Sequence, residues 1–313
     1  MQQQQCAGAV LMIRPARFDY NAETAPTNRM QRAPGSARAD VAELARREFD
    51  ALAASLRSEG IEICIAEDTP QPAKPDAVFS NNWLSFHADG TLVLYPMQSE
   101  SRRRERRLEI VAQVSAELGF VVRRTLDLTH HERNGHFLEG TGSLVLDHVG
   151  RLAYACRSAR THAEPLAEWC RVMGYEPIMF DAQDGHGVPV YHTNVMMCIG
   201  ARAVMVCAAM IVEADRTRVL QRLGASSREI IELSREAVEG FAGNMLELAT
   251  WDEALGDATV LVMSAQARAA LGPEAFARLS ACTDAVLAVP VPTIERLGGG
   301  SVRCMLTEVF LPS

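Results

Sequence analysis

One thiol in this chain sits in a setting that could do chemistry. The stretch Gly298-Gly299-Gly300-Ser301-Val302-Arg303-Cys304-Met305 places Cys304 behind three glycines, beside Arg303, at the head of an apolar run expected to form a strand over 305–311. Glycine lacks a Cβ, so such a run lets the backbone turn sharply or pass close to a ligand. A cysteine beside a cation is suited to nucleophilic attack, because the thiolate is the reactive form. A free cysteine is also a good small core residue, so Cys304 needs partners before it counts as a nucleophile. Four other polar stretches offer them: Phe79-Ser80-Asn81-Asn82-Trp83, His136-Phe137-Leu138-Glu139-Gly140-Thr141-Gly142, Tyr191-His192-Thr193-Asn194-Val195 and Gly243-Asn244-Met245-Leu246. If these stretches meet, an imidazole, a carboxylate, amides and a thiol converge from distant points of the chain.

The elements that must bring them together repeat. An amphipathic helix, a glycine or turn and an apolar, β-branched strand recur five times. The helices are expected over 40–59, 103–118, 165–173, 213–223 and 265–279, and the strands over 61–65, 120–122, 175–180, 229–233 and 285–289. The spacing of Val41, Leu44, Leu52 and Leu56 is helical, and Gly60 reads as a C-cap. A period of roughly 50–60 residues is that of an array or propeller. After each helix and strand comes a further strand that opens with one of the polar stretches above. A closed ring of five such units would point those residues at one axis. The fold class is therefore α/β, a five-bladed α/β-propeller, with 1–313 forming a single catalytic domain and 1–11 a flexible leader.

Composition sets the outer bounds. At 313 residues, 48% apolar and 22% charged, the chain has the balance of a soluble globular protein. A net charge of −8 argues against a nucleic-acid partner, and Arg102-Arg103-Arg104-Glu105-Arg106-Arg107 is a local exception that reads mainly as a solvated helix face. No apolar run approaches the roughly 20 residues of a membrane span, and the start lacks the basic and apolar regions of a signal peptide. The eight cysteines are dispersed without a CxxC, which fits free thiols in a reducing cytoplasm. His130-His131 is the only adjacent histidine pair, no HExxH or HxxxH occurs, and no Gly-rich nucleotide loop is present. No metal and no organic cofactor are expected.

The polar stretches carry a resemblance. In order and spacing, from about Ile13 to Pro312, they resemble the guanidino-group modifying (pentein) superfamily, which includes arginine deiminases, dimethylarginine dimethylaminohydrolases and amidinotransferases. The opening Met12-Ile13-Arg14-Pro15-Ala16-Arg17-Phe18 is most similar to a bacterial branch named for citrulline utilisation. The resemblance implies roles. Pro75-Asp76-Ala77-Val78-Phe79-Ser80-Asn81-Asn82 is similar to the family's PDxVFxxD segment, making Asp76 a substrate-pocket acid and placing Asn82 where an aspartate usually grips the guanidinium. Leu138-Glu139-Gly140-Thr141-Gly142 resembles the EGGD segment, giving Glu139 the substrate's nitrogens, but Gly142 stands where the second acid would be. Val188-Pro189-Val190-Tyr191-His192 gives His192 as general acid/base, and Gly300-Ser301-Val302-Arg303-Cys304 gives Cys304 as nucleophile. Arg102 and Arg160 match residues that bind the substrate α-carboxylate, a task suited to the guanidinium fork.

The implied chemistry is covalent hydrolysis at a trigonal carbon bearing nitrogens. Cys304 attacks, His192 protonates the departing nitrogen and then draws a proton from water, and Glu139 orients substrate N–H groups. The partner is a small guanidino or ureido amino acid, with a homodimer left open. Substrate choice turns on Asn82, because an amide in place of a carboxylate removes a negative charge and offers a donor and an acceptor. A neutral ureido group matches that amide, so citrulline is favoured over arginine or methylated arginine. Arginine deimination, a dimethylargininase reaction and amidino transfer to an amine are the enzymatic alternatives, and a pentein-like binding protein is the non-enzymatic one. A lid over the pocket is expected from 19–38.

Overall fold

The computed structural model describes residues 4–34, 40–252 and 256–311. Among these residues one three-strand unit occurs five times. In each, a short strand pairs antiparallel with a second strand, which pairs parallel with a third after a helical crossover. The units are Leu84–Phe86 with Thr91–Leu94 and Arg124–Asp127, Val145–Asp147 with Leu152–Cys156 and Glu176–Phe180, and Met197–Ile199 with Ala203–Val206 and Glu229–Glu232. The fourth joins Leu246–Asp252 to Gly256–Ser264 and Ala285–Val289. The fifth is built from both ends of the chain, with Thr307–Val309 antiparallel to Ala9–Arg14, which runs parallel to Glu62–Glu67. The Val309–Phe86 pairing fuses the fifth unit to the first in a six-stranded sheet.

Local sequence explains the crossovers. The Val41–Ser58 helix starts where the Asp40 side chain accepts from Glu43 N, and it buries Ala45, Phe49, Leu52, Ala53 and Leu56 along one face. Leu108–Leu118 and Ala163–Met173 stop at Gly119 and Gly174, both left-handed, a conformation that glycine adopts without steric cost. Phe49 is fully buried among Val10, Leu248, Val260 and Leu306, so its truncation would cost about 3–5 kcal/mol.

Five expectations change. Residues 4–11 are not a loose leader: Gln5 to Ala7 are buried and Ala9–Arg14 is a central strand, because its apolar run fills the sheet between two partners; residues 1–3 lie outside the described residues. The helix expected over 103–118 is two, Glu100–Arg103 and Leu108–Leu118. The break lets the clustered arginines reach separate acids, Arg102 to Glu105, Arg106 to Glu132 and Arg107 to Glu109, where one continuous helix would set like charges side by side. The helix over 265–279 breaks at Gly272-Pro273, and the strand expected over 120–122 starts only at Arg124.

The fifth change matters most for function. The polar stretches are not strands but short turns that precede strands: Ser80–Asn82, Gly140–Ser143, Thr193–Val195 and Val302–Met305 are single helical turns, and 241–244 is a turn closed by Asn244 N on Phe241 O. Serine, asparagine, threonine and glycine favour such turns over strand pairing. The turns pack on one another, with 140–143 against both 80–82 and 193–195, and 80–82 against 302–305. No helix among the described residues is long and apolar enough to cross a membrane.

Candidate active site

Cys304 lies in the turn Val302–Met305, 4% exposed. The glycines before it are packed tight instead of forming a loose hinge. A Cβ on Gly298 or Gly300 would come within 2.6 Å and 2.9 Å of the Phe79 ring, and Gly299 ends the Pro292–Gly298 helix at φ +63°. Arg303, expected beside the thiol, turns away to Leu306 O and to Glu308 at 2.8 Å. Two amides take its place. Asn244 Nδ2 lies 3.2 Å and Asn194 Nδ2 3.6 Å from Cys304 Sγ. Asn244 Nδ2 also reaches Asn194 O at 3.2 Å, tying the two turns together. The Oδ1 atoms of both asparagines are buried without a hydrogen-bond partner. Neither residue was singled out by sequence reasoning, although both stand in the repeated polar turns, and that repetition is the signal that could have found them.

His192 and Glu139 meet on the neighbouring turns. His192 Nε2 is 2.8 Å from Glu139 Oε2, so Nε2–H donates to the carboxylate and Nδ1 is the nitrogen left to move protons. Gln98 N donates to the other Glu139 oxygen at 3.0 Å. Gly142 explains the missing second acid, because a Cβ there would fall 2.5 Å from Asn82 Nδ2 and 2.7 Å from His192 Nδ1. The room that an aspartate would need is taken by the asparagine and the imidazole edge.

Both predicted arginines are buried in the site, but they are already engaged. Arg102 donates to Asn82 Oδ1 at 2.7 Å, to Phe79 O at 3.0 Å and to both oxygens of Glu105. It therefore fixes Asn82 with its amide nitrogen turned inward. Arg160 Nη1 stands 3.6 Å from Glu139, while Nε and Nη2 bind Thr27 Oγ1 and Thr24 O. Asp76 Oδ2 accepts from Asn21 at 2.8 Å and Thr24 at 3.2 Å, lies 3.9 Å from Arg102, and leaves Oδ1 buried without a partner. Thus residues 21–31 cover the cavity, and Asn28 and Gln31 anchor them to the carbonyls of Gly298, Gly299 and Leu297. Of the segment expected as a lid, 35–38 lie outside the described residues.

Asp76, Asn82, Arg102, Arg160, His192 and Cys304 line one cavity with a free volume of about 10 Å³, room for one water. Burial sets its charge states. It pushes the His192 imidazole down to about 4, against the opposing pull of Glu139, so the ring is neutral. For Glu139, burial pushes up, but Arg160, the His192 bond and Arg102 together hold the carboxyl well below its usual range. Asp76 goes the other way, raised by burial despite Arg102. All eight cysteines are free and buried.

Comparisons with known proteins follow this geometry. Residues 14–311 match the family described as N,N dimethylarginine dimethylhydrolase, eukaryotic. The N-terminal domain of ArgZ, an arginine dihydrolase from the ornithine-ammonia cycle in cyanobacteria solved with substrate in a Cys-to-Ser variant, superposes with a TM-score of 0.74 at 16% identity, covering 97% of this chain and 98% of that domain. The full-length apo enzyme gives 0.73 at 16% identity, again over 97% of this chain, which spans only 41% of its length. A dimethylarginine dimethylaminohydrolase His-to-Gly variant, as its adduct with S-methyl-L-thiocitrulline, gives 0.64 at 16% identity over 96% of this chain and 99% of that one. No curated protein sequence matches. The chain is therefore a member of the N,N-dimethylarginine dimethylhydrolase family of the pentein superfamily, hydrolases that act on carbon–nitrogen bonds other than peptide bonds.

Proposed function

We propose that this chain hydrolyses a carbon–nitrogen bond of a small ureido or guanidino amino acid through a covalent adduct on Cys304, the bond to the side-chain nitrogen in the case of a ureido substrate. The observation that carries the reading is one cavity lined by both the Cys304 thiol and His192, whose ring is paired with Glu139. Neutral His192 accepts the thiol proton as Cys304 Sγ bonds to the substrate carbon. The resulting imidazolium, stabilised by Glu139, passes that proton to the leaving nitrogen as the C–N bond breaks, since an amide anion would not depart. Water then attacks the thioester-like adduct while His192 takes its proton, and thiolate leaves. Arg160, whose Nη1 stands nearest Glu139, and Arg102 supply positive charge for the substrate α-carboxylate. Since the cavity holds one water, residues 21–31 must open to admit an amino acid, freeing Arg160 and Asp76 from Thr24, Thr27 and Asn21.

Citrulline is the substrate that the local chemistry favours. Two neutral amides, Asn194 and Asn244, contact the thiol and a third, Asn82, lines the same cavity, and amide donors and acceptors suit a C=O and NH2 pair better than a cation. Asp76, which lines the cavity with one oxygen unpartnered, is held toward its protonated form by burial. The alternative is arginine. It is supported by the arginine dihydrolase, whose fold this chain shares, and by the open Asp76 oxygen, which could accept from a guanidinium. Incubation with citrulline or arginine, followed by assay of ornithine, citrulline and ammonia, separates them: ornithine from citrulline is expected, and turnover of arginine alone would overturn the ureido reading. Amidino transfer would instead give a guanidino product when glycine is added as acceptor. We further infer that the five units stand as blades of one propeller around this site, in a single catalytic domain working in the cytoplasm, where its eight thiols stay reduced.

A further inference from the structure

Outside the active site, one cluster presents more acceptors than its protons can satisfy. His130 and His131 lie on the turn Thr129–Asn134, and Glu168 projects toward them from the Ala163–Met173 helix. His131 Nε2 is 2.8 Å and His130 Nε2 3.3 Å from the same oxygen, Glu168 Oε2. The two rings lie 4.3 Å apart at 32°. His130 Nδ1 is 3.1 Å from Asp127 O, a carbonyl that can only accept, so this nitrogen carries the hydrogen. The neutral ring then points an Nε2 lone pair at a carboxylate oxygen. That contact is repulsive unless a cation is shared among the three groups. The cation is either a proton or a metal ion.

We propose that His130, His131 and Glu168 form a site for a divalent transition metal of the zinc type. Two imidazole nitrogens and a carboxylate oxygen are a common donor set for such ions. The three ligand atoms lie within 4.8 Å of one another. Tetrahedral ligation at about 2.0–2.1 Å separates donors by roughly 3.3 Å, close to the spacings already present. The Nδ1–H of His130 on a backbone carbonyl is the outer contact that fixes a ligating imidazole's tautomer. The site opens on a surface cavity of about 480 Å³ that also borders Asp127 and Arg133, leaving room for water to complete the shell. Glu132, on the same turn, is committed to Arg103 and Arg106 and to Met97 N, so it is not a competing ligand. A metal here would clamp the 129–134 turn to the helix, a few residues upstream of Glu139. The site is separate from the thiol cavity and does not depend on the proposed reaction.

The test uses the full chain, freed of metal with a chelator, on a Cys304→Ala background so that the active-site thiol cannot bind. Cobalt(II) titration followed by visible absorption should give one equivalent of a nitrogen- and oxygen-ligated tetrahedral spectrum without thiolate charge transfer. His130→Ala and Glu168→Gln should each weaken binding by at least about tenfold. Zinc(II) should raise the Tm of the parent but not of His130→Ala. The His130 side chain is 52% exposed, so its removal leaves the fold intact and its result is readable even if Glu168→Gln fails to fold. Binding unchanged in His130→Ala, or none at millimolar metal with only a proton bridging the groups, would overturn the proposal.

Discussion

Two walls of opposite character surround the Cys304 region. On one, Asn244 and Asn194 point amide nitrogens at the Cys304 sulfur, while Asn82, held by Arg102, stands at the edge of the other. On the other, Arg102, Arg160, Glu139, Glu105 and Asp76 form a buried ionic network, all at most 3% exposed. The difference lies in what each wall must do. A buried charge network is stable only when every member is compensated, so under the proposed reaction it would hold the carboxylate end of an amino acid and support proton transfer by His192. Amides carry no net charge and can face a neutral reacting group without a counter-ion.

Several substitutions would break or sharpen this contrast. Cys304→Ala should abolish turnover, a loss of at least about 10⁴-fold in kcat, with the Tm unchanged, because the residue sits where both walls meet. Residual turnover in the parent's range would end the covalent reading. On the charged wall, Glu139→Gln should lower kcat by roughly 10²–10⁴-fold through loss of the His192 partner. It should also cost about 3–5 kcal/mol, since Arg102 and Arg160 lose compensation, and urea unfolding should register that cost. The equivalent change on the amide wall, Asn244→Ala, should cost about tenfold in kcat and little in stability, because only a polar hydrogen bond to sulfur is lost. A large drop in stability there would contradict the contrast.

Asn82→Asp converts one wall toward the other. Citrulline kcat/KM should fall at least about tenfold relative to arginine, because a carboxylate facing the reacting group favours a cation. An unchanged ratio would mean that Asn82 does not choose the substrate. The smallest effect is a titration. Burial lowers His192 to about 4, so its ring, followed by NMR, should protonate as pH falls toward 4 and remain neutral at pH 6. Because the folded-state value is depressed, the stability this neutral ring contributes is present above about 6.5 and lost as pH falls through about 4. Protonation near 6.5 would place the ring in water.

Much of this architecture was legible in the chain. Periodic apolar residues and stop glycines such as Gly119 and Gly174 marked the crossover helices, because helix periodicity and left-handed caps are local signals. The ordered polar stretches pointed Cys304, His192, Glu139 and Asn82 at one axis, the family resemblance added Asp76, Arg102 and Arg160, and the structure places all seven about one cavity. Hidden from sequence were the features that depend on rotamers and tertiary room. Arg303 adjoins Cys304 in the chain but points to Glu308, since neighbours on a tight turn face different ways. Asn194 and Asn244 reach the sulfur only once separate turns stack. The packing of Gly298 and Gly300 on Phe79 cannot be told from flexibility until the aromatic ring is in place. Residues 1–11 read as a leader because the partners of Ala9–Arg14, Thr307–Val309 and Glu62–Glu67, are distant in sequence.

The most direct measurement is mass spectrometry of the protein quenched during turnover of citrulline, with peptide mapping. The account predicts a carbamoyl-sized addition on the peptide containing Cys304, absent from Cys304→Ala. No adduct with citrulline, an adduct on another cysteine, or one formed from arginine alone would contradict it.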